Sequence, residues 1–423
     1  MKILIIGSGG REHAIAMALS KSPNQNQLYA LPGNPGIEEY CECIEIDVSD
    51  FEGIKNFAKS NKIQLVIVGP EVPICDGISD YLKEYKVDVF APSQEASKLE
   101  SSKKFTKEIA FENNIPTGKA KWFNKITDAS QYLNKIEAPY VIKADGLAAG
   151  KGVAICENLK DANLSLKDIF NGKFGSGQSV LIEEFLYGEE LSYFAITDGR
   201  EILPLIGAQD HKRLLDSDEG PNTGGMGAYC PPPILSSKLE GKIMNEILEP
   251  TMHGLRKRGV EYKGVLFAGL MVKENKPSLI EYNVRFGDPE TQALLMLMKS
   301  DFTELLQETV NGNIKNYNLE WQKKRAITVV LANEGYPYQY NKGAEIYGIS
   351  HAETNPNVKV FHAGTSMIND TLTATGGRVL NVTSVAETLD LARERAYSAI
   401  EKISYKGKVY RNDIAWRALG KNT

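Results

Sequence analysis

The sequence predicts a multidomain protein of mixed α/β and α+β class. Three observations carry that prediction. Residues 1–100 alternate short apolar runs with helical periods, the pattern of a parallel sheet covered by helices. Farther on, a lysine-bearing strand runs into a loop of small residues and out into a second strand, the layout of a hairpin flap. The chain has 423 residues, enough for about three domains at roughly 100–200 residues each.

In the first unit, 1–100, Ile3–Ile6 reads as a strand, a glycine turn follows, and Glu12–Ser20 has a helical period. Leu65–Val68 is a buried strand ended by Gly69-Pro70. Asp76–Tyr85 is helical, and Val87–Phe90 is strand-like. The second unit, 101–322, opens with a charged helix, Lys103–Asn113, closed by Pro116. Lys119–Trp122, a helix from Thr127, Tyr140–Lys143, Val153–Cys156, a helix near Leu159–Phe170 and Val180–Glu184 follow. Together, about 117–186 reads as a small mobile lid. Strands come next at 191–197, 201–207, 265–272 and 278–283, with a long helix at about 236–258. Between them Asp210–Ala228 is polar and glycine-rich. A loop near that length without regular structure inside a compact domain is usually functional or disordered, and its lack of low-complexity character favours functional. The third unit, 323–423, restarts with Ala326–Leu331, then Val379–Val382 and a helix Val385–Ile400, a small α+β domain.

Hydrophobic residues make up 42% and charged residues 24%, so each unit can bury a core. The formal charge of −5 argues against nucleic acid as a bulk electrostatic partner. Among the five cysteines the only close pair is Cys41-x-Cys43, which argues against a zinc site and for small buried hydrophobes in a reducing compartment. The apolar run at the start is too short for a signal-peptide core, and no segment approaches the ~18 apolar residues of a membrane span. The expectation is a soluble, cytoplasmic protein without a membrane partner.

Gly7-Ser8-Gly9-Gly10-Arg11-Glu12-His13 leaves a strand and opens a helix, the context for anion binding at helix amides. A dinucleotide fingerprint needs a third glycine where Glu12 stands, and an acid after the strand Gln27–Leu31, which runs into Pro32-Gly33-Asn34 instead. A phosphate or sugar contact fits better, and a tight turn packing helix on strand is the bland alternative. Glu71, in Gly69-Pro70-Glu71-Val72-Pro73, ends a neighbouring strand at the same sheet edge. It could hydrogen-bond ribose hydroxyls or be a solvated turn acid.

Val141–Val153 carries Lys143, then Gly146, Gly150, Lys151 and Gly152. Small residues let backbone amides close over phosphates, and no G-K-[ST] opens a helix, so this is not a Walker A loop. Glu183-Glu184-Phe185-Leu186 leads off a buried strand toward Glu190, a hinge whose backbone could read an adenine edge, with an acid just beyond that could accept from ribose hydroxyls; the acid-rich run could otherwise be a solvated surface. Alternation places Glu281, Asn283 and Arg285 on one strand face. A carboxylate and an amide oxygen two residues apart suit Mg²⁺, and Arg285 can neutralise a transferring phosphoryl group.

These pieces resemble the ATP-grasp superfamily. GSGGREHA (Gly7–Ala14), GPEVP (Gly69–Pro73), VIKADGLAAGKGV (Val141–Val153), QDHKR (Gln209–Arg213), PNTGGMGA (Pro221–Ala228), RFGDPETQ (Arg285–Gln292), TATGGRVLN (Thr373–Asn381) and YRNDIAWRAL (Tyr410–Leu419) resemble the phosphoribosylamine–glycine ligase family within it, across essentially the whole chain. The resemblance implies a Rossmann-like N-terminal domain, an ATP-grasp core with a lid and a small C-terminal barrel-like domain. It implies ATP at Lys103, Lys143, Gly150, Lys151, Gly152, Glu183, Glu184, Phe185, Leu186 and Glu190, and Mg²⁺ or Mn²⁺ on Glu281 and Asn283. It implies substrates at Gly9, Gly10, Arg11, Glu71, Asp210, Lys212, Asn222, Thr223, Gly224, Gly225, Arg285, Asp288 and Arg378, with Lys143, Arg285 and Asp288 catalytic. The implied substrates are glycine and 5-phosphoribosylamine, and the implied state is a monomer. Two departures stand out. Ser101 replaces the family's usual glycine, and the apolar strand Gly264–Val272 offers no second metal-binding acid. The rivals are another ATP-grasp carboxylate–amine ligase and a non-catalytic nucleotide-binding regulator.

Overall fold

The structure is a computed structural model, and it describes residues 1–146, 152–173 and 179–420. The strand Lys2–Gly7 carries Ile3, Leu4, Ile5 and Ile6, all fully buried, as a strand covered on both faces requires. It is the middle of a five-stranded parallel sheet. Gln27–Pro32 and Leu65–Val68 flank it, and Glu42–Cys43 and Asp88–Phe90 form the edges. Ile6 lies opposite Val68, so the loops after these strands, with Gly9 and Glu71, leave one sheet edge together. The helix expected over Asp76–Tyr85 is present as Ile78–Lys83, and a further short helix, Glu71–Cys75, precedes it. Gly77, at φ +91, breaks the run.

The middle region holds two antiparallel sheets. One runs in the order Ala120–Phe123, Val180–Glu184, Tyr140–Ala144, Val153–Cys156, and packs on the helices Ile126–Leu133 and Leu159–Phe170. Its apolar cluster, including Phe123, Leu133, Ile142 and Leu166, is its own. The other sheet runs Ile202–Pro204, Glu189–Asp198, Lys263–Lys273, Lys276–Asn283. It shares a continuous core with the first unit, in which Leu4 and Ile6 join Tyr193, Leu266 and Leu279. The long helix is Ser237–Ile243 and Glu249–Lys257 with a π-helical turn, Met244–Leu248, between them. Pro250 has no N–H to donate and its ring crowds the carbonyl four residues back, so the ladder widens there.

The closing sheet runs Gln209–Asp210, Gly227–Cys230, Arg325–Asn333, Arg378–Ala386, Val358–His362, all antiparallel. Its first two strands come from the polar stretch expected to lack regular structure, and the hairpin Arg213–Leu215 with Glu219–Asn222 fills the stretch between them. Polarity misled because the polar groups are satisfied internally. The Gln209 amide donates to the Glu190 carbonyl at 2.8 Å and accepts from the Tyr229 hydroxyl at 2.7 Å. The helix expected from Val385 begins at Leu389. Val385 and Ala386 finish a strand, and Thr388 caps the helix by accepting from the Leu391 amide. Among the described residues no helix is long and apolar enough to cross a membrane.

Candidate active site

The glycine turn, the Asp288 turn and the closing sheet meet at one point. Gly10 opens the helix Gly10–Ser20, and a Cβ there would stand 2.2 Å from the Asn381 amide nitrogen and 2.6 Å from that of Gln292. Gln292 donates to Asp288 Oδ1 at 2.9 Å, and Arg378 Nη2 lies 3.4 Å from Asp288 Oδ2. Arg378 Nη1 donates to the Asp288 and Gly224 carbonyls, each at 2.8 Å. Gly225 holds φ +110 against the ring of Pro289, where a Cβ would come within 2.5 Å of Cδ. Burial pushes the Asp288 carboxyl up, but Arg378 and Arg11 outweigh it and hold the group below its ordinary value.

Arg11 is buried and engaged. Nε meets Glu12 Oε1 at 2.6 Å and Nη1 donates to the Phe286 carbonyl at 3.0 Å, while Glu12 Oε2 accepts from the Gly9 amide. Arg285 sits between two carboxylates, Glu71 at 3.4 Å from Nε and Glu100 at 3.2 Å from Nη2. Glu100 also accepts from the Val284 amide at 2.7 Å. Sequence reasoning missed Glu100. Its signal was an acid in the last turn of the helix Gln94–Ser101, a place the helix dipole disfavours unless a cation is near.

On the lid side, Lys143 Nζ lies 2.5 Å from Glu183 Oε2, and Lys107 Nζ pairs with the other oxygen. Lys107 also donates to Thr117 Oγ1 at 2.6 Å and the Gly118 carbonyl at 3.1 Å. Glu183 therefore faces inward between two lysines. Lys107 was missed too, although it stands one helical turn from Lys103 on the same face. Lys103 Nζ donates to the Gly146 carbonyl at 3.0 Å, and its backbone amide donates to Asp145. Gly152 accepts from the Ala144 amide at 2.8 Å, while Gly150 and Lys151 lie outside the described residues. Glu184 is exposed, Phe185 and Leu186 are half-buried, and Glu190 pairs with Lys212 at 2.8 Å across the cleft.

Glu281 and Asn283 share the half-buried face of the strand Lys276–Asn283, with Tyr282 and Val284 buried on the other. Neither side chain has a hydrogen-bond partner among the described residues. The facing strand offers Gly269 opposite Glu281, and no group of three His, Cys, Asp or Glu among the described residues could hold a metal. Two free oxygen ligands fit Mg²⁺, which takes the rest of its shell from phosphates and water. The charge of Glu281 acts on both Lys103 and Lys212. Burial pushes Asp210 up to about 7, with Glu290 and Glu190 adding and Lys212 opposing. Thr223 holds that loop closed, its amide donating to the Lys212 carbonyl at 2.7 Å, and Asn222 pairs with Arg213.

Family models of phosphoribosylglycinamide synthetase match most of the chain: the N domain over 1–100, the ATP-grasp (A) domain over 101–291 and the C domain over 326–417. A phosphoribosylamine–glycine ligase of Brucella melitensis is 47% identical, over 99% of this chain and 98% of its own. The chain belongs to the phosphoribosylglycinamide synthetase family. With that membership come ATP-dependent carbon–nitrogen ligase activity and a place in purine biosynthesis. The chloroplastic family member of Arabidopsis thaliana is 46% identical over 97% of this chain and 79% of its own. The solved phosphoribosylamine–glycine ligase of Thermotoga maritima, 34% identical, superposes with a TM-score of 0.86 over 98% of this chain and all of its own. A biotin carboxylase domain from Hydrogenobacter thermophilus, solved with MgADP and bicarbonate, shares the fold at 15% identity, with a TM-score of 0.74 over 97% of this chain and 91% of its own.

Proposed function

We propose that the chain, a cytoplasmic monomer, uses ATP and Mg²⁺ to join glycine to 5-phosphoribosylamine through glycyl phosphate. One observation carries the residue-level reading. The charge of Glu281 acts on both Lys103, which opens the helix Lys103–Glu112, and Lys212, which pairs with Glu190, so a phosphoryl donor and a carboxylate acceptor can meet near one acid.

A carboxylate resists attack because it is already charged and lacks a good leaving group. Lys103 and Lys143 hold the phosphates. A glycine carboxylate oxygen attacks the terminal phosphorus and ADP departs. Lys212 and Arg285 supply positive charge to the incoming carboxylate and the transferring phosphoryl group. Mg²⁺ held by Glu281 and Asn283 would neutralise the charge of the phosphate chain. The nitrogen of phosphoribosylamine then attacks the glycyl carbon, the bond from that carbon to the bridging oxygen breaks, inorganic phosphate leaves with that oxygen, and the amide forms with loss of one proton. Gly9, Gly10, Glu71, Asp288 and Arg378 surround the place proposed for the phosphoribosyl group. The lid, with its own apolar core, can move as a body to exclude water that would hydrolyse the acyl phosphate.

The test is ADP release with glycine and freshly generated phosphoribosylamine each added and omitted. Turnover that needs both, with ¹⁸O passing from glycine carboxylate to phosphate, is the expected result. Turnover with unlabelled phosphate would remove the acyl phosphate. ATP binding without such turnover would point to another acid or amine.

A further inference from the structure

The piece Tyr410–Leu419 has no part in the chemistry above, yet it is tied tightly to the Lys212 loop. Arg411 is fully buried. It grips Asp413 with two nitrogens, at 2.7 and 2.8 Å, and donates Nη1 to Asp218 at 2.9 Å and to the Arg213 carbonyl at 3.1 Å. Arg417 pairs with the second oxygen of Asp218. Asp413 accepts from the Ser217 amide at 2.7 Å, and Asp216 accepts from the Asn412 amide at 2.8 Å. The tip of the hairpin Arg213–Leu215/Glu219–Asn222 is thus held on every side. Its root is held as well, because the Ala415 amide donates to His211 Nε2 at 3.3 Å.

The tip needs this hold. Ser217 and Asp218 both take left-handed backbone, at φ 59 and 58, a conformation that persists only where the surroundings impose it. The segment itself is braced by the helix Leu389–Ile400, whose Tyr397 hydroxyl donates to the Arg411 carbonyl at 2.7 Å and whose Arg393 donates to the Asn412 carbonyl. Between the held tip and the held root stands Lys212, which reaches across to Glu190 at 2.8 Å.

We infer that Arg411 and Arg417 are positioning residues, which act through Asp218 and the hairpin to set Lys212 against the substrate carboxylate. The inference rests on the proposed role of Lys212. A charge misplaced by an ångström over a reacting carboxylate weakens its grip without disturbing a nucleotide held from the lid.

The test uses the full chain. Asp218→Asn, Arg417→Gln and Arg411→Gln are each assayed for glycine KM, ATP KM and melting temperature, alone and on Lys212→Met. Asp218→Asn keeps the side-chain shape and Arg417 is partly exposed, so the comparison survives if Arg411→Gln fails to fold. The expected result is a rise of about tenfold in glycine KM with ATP KM changed less than about twofold, and no further rise on Lys212→Met. Arg411→Lys, which keeps the charge but not the fork, recovers only part of the loss. Melting shifts with glycine KM unchanged, equal rises in both KM values, or full additivity with Lys212→Met would overturn the inference. Should Lys212→Met itself leave glycine KM unaltered, the role of Lys212 fails first.

Discussion

Lys143 and Glu183 form a buried ion pair at 2.5 Å between neighbouring antiparallel strands of the lid. Lys107 occupies the other carboxylate oxygen, so one acid compensates two buried ammonium groups. The arrangement pre-orders the lysine that is to meet a phosphate. Glu183→Gln leaves both lysines uncompensated. It should lower stability by about 3 kcal/mol, as loss of one partner of a buried pair does, and raise ATP KM. Urea unfolding read beside ATP saturation checks this. Unchanged stability would mean that the pair is open to water.

Glu281 is the opposite case. Its carboxylate has no hydrogen-bond partner among the described residues, so the fold does not use it. Glu281→Gln should shift stability by less than about 0.5 kcal/mol. It should cut kcat by about a hundredfold or more, by removing charge stabilisation at the phosphoryl group. Binding of Mn²⁺ in the presence of ATP, followed by electron paramagnetic resonance, should weaken in parallel. Normal Mn²⁺ binding would take Glu281 out of the metal site.

The strands were readable where burial alone decides them. Ile3–Ile6, Leu65–Val68 and Val180–Ile182 are apolar runs with no other place to go, and the alternation at Glu281 and Asn283 is fixed by the pleat, whereas Arg285 lies past the strand's end at Asn283. What could not be read was which charges meet. Glu183 and Lys107 are 76 residues apart, and nothing local shows that the acid turns inward. Glu100 and Arg285 meet only because the first unit and the middle sheet share a core. The stretch 210–228 looked like loop because its strands are short and its polar groups are satisfied by residues distant in sequence, such as Arg411 and Asp413.

Asp210 gives a pH signature. Burial raises its folded value to about 7, whereas in the unfolded chain it titrates near 4. Its contribution to stability is therefore fully present below about pH 4 and is lost as pH rises through about 7, where the folded protein must hold the charge. Asp210→Asn removes that loss. The variant should gain stability relative to the parent between pH 5 and 8, with the difference closing toward pH 4. Denaturant unfolding across that range measures it, and a difference independent of pH would contradict the assignment.

Gly225 lets the Asp288 turn and the Gly224 loop lie against each other. Its φ of +110 is strained for any residue with a Cβ, and the added carbon would meet Pro289 Cδ at 2.5 Å. Gly225→Ala should therefore cost about 2 kcal/mol. More tellingly, it should push apart the Gly224 and Asp288 carbonyls that Arg378 bridges, each at 2.8 Å. The KM for phosphoribosylamine should rise while that for ATP, bound from the lid side, stays near the parent value. Gly241→Ala is the control. Gly241 lies in the helix Ser237–Ile243 with nothing within 4 Å of a Cβ, so the change should be neutral or stabilise by up to about 1 kcal/mol. If Gly225→Ala raised both KM values alike, the damage would have spread beyond the turn, and Arg378 would not be the link between that loop and the phosphoribosyl side.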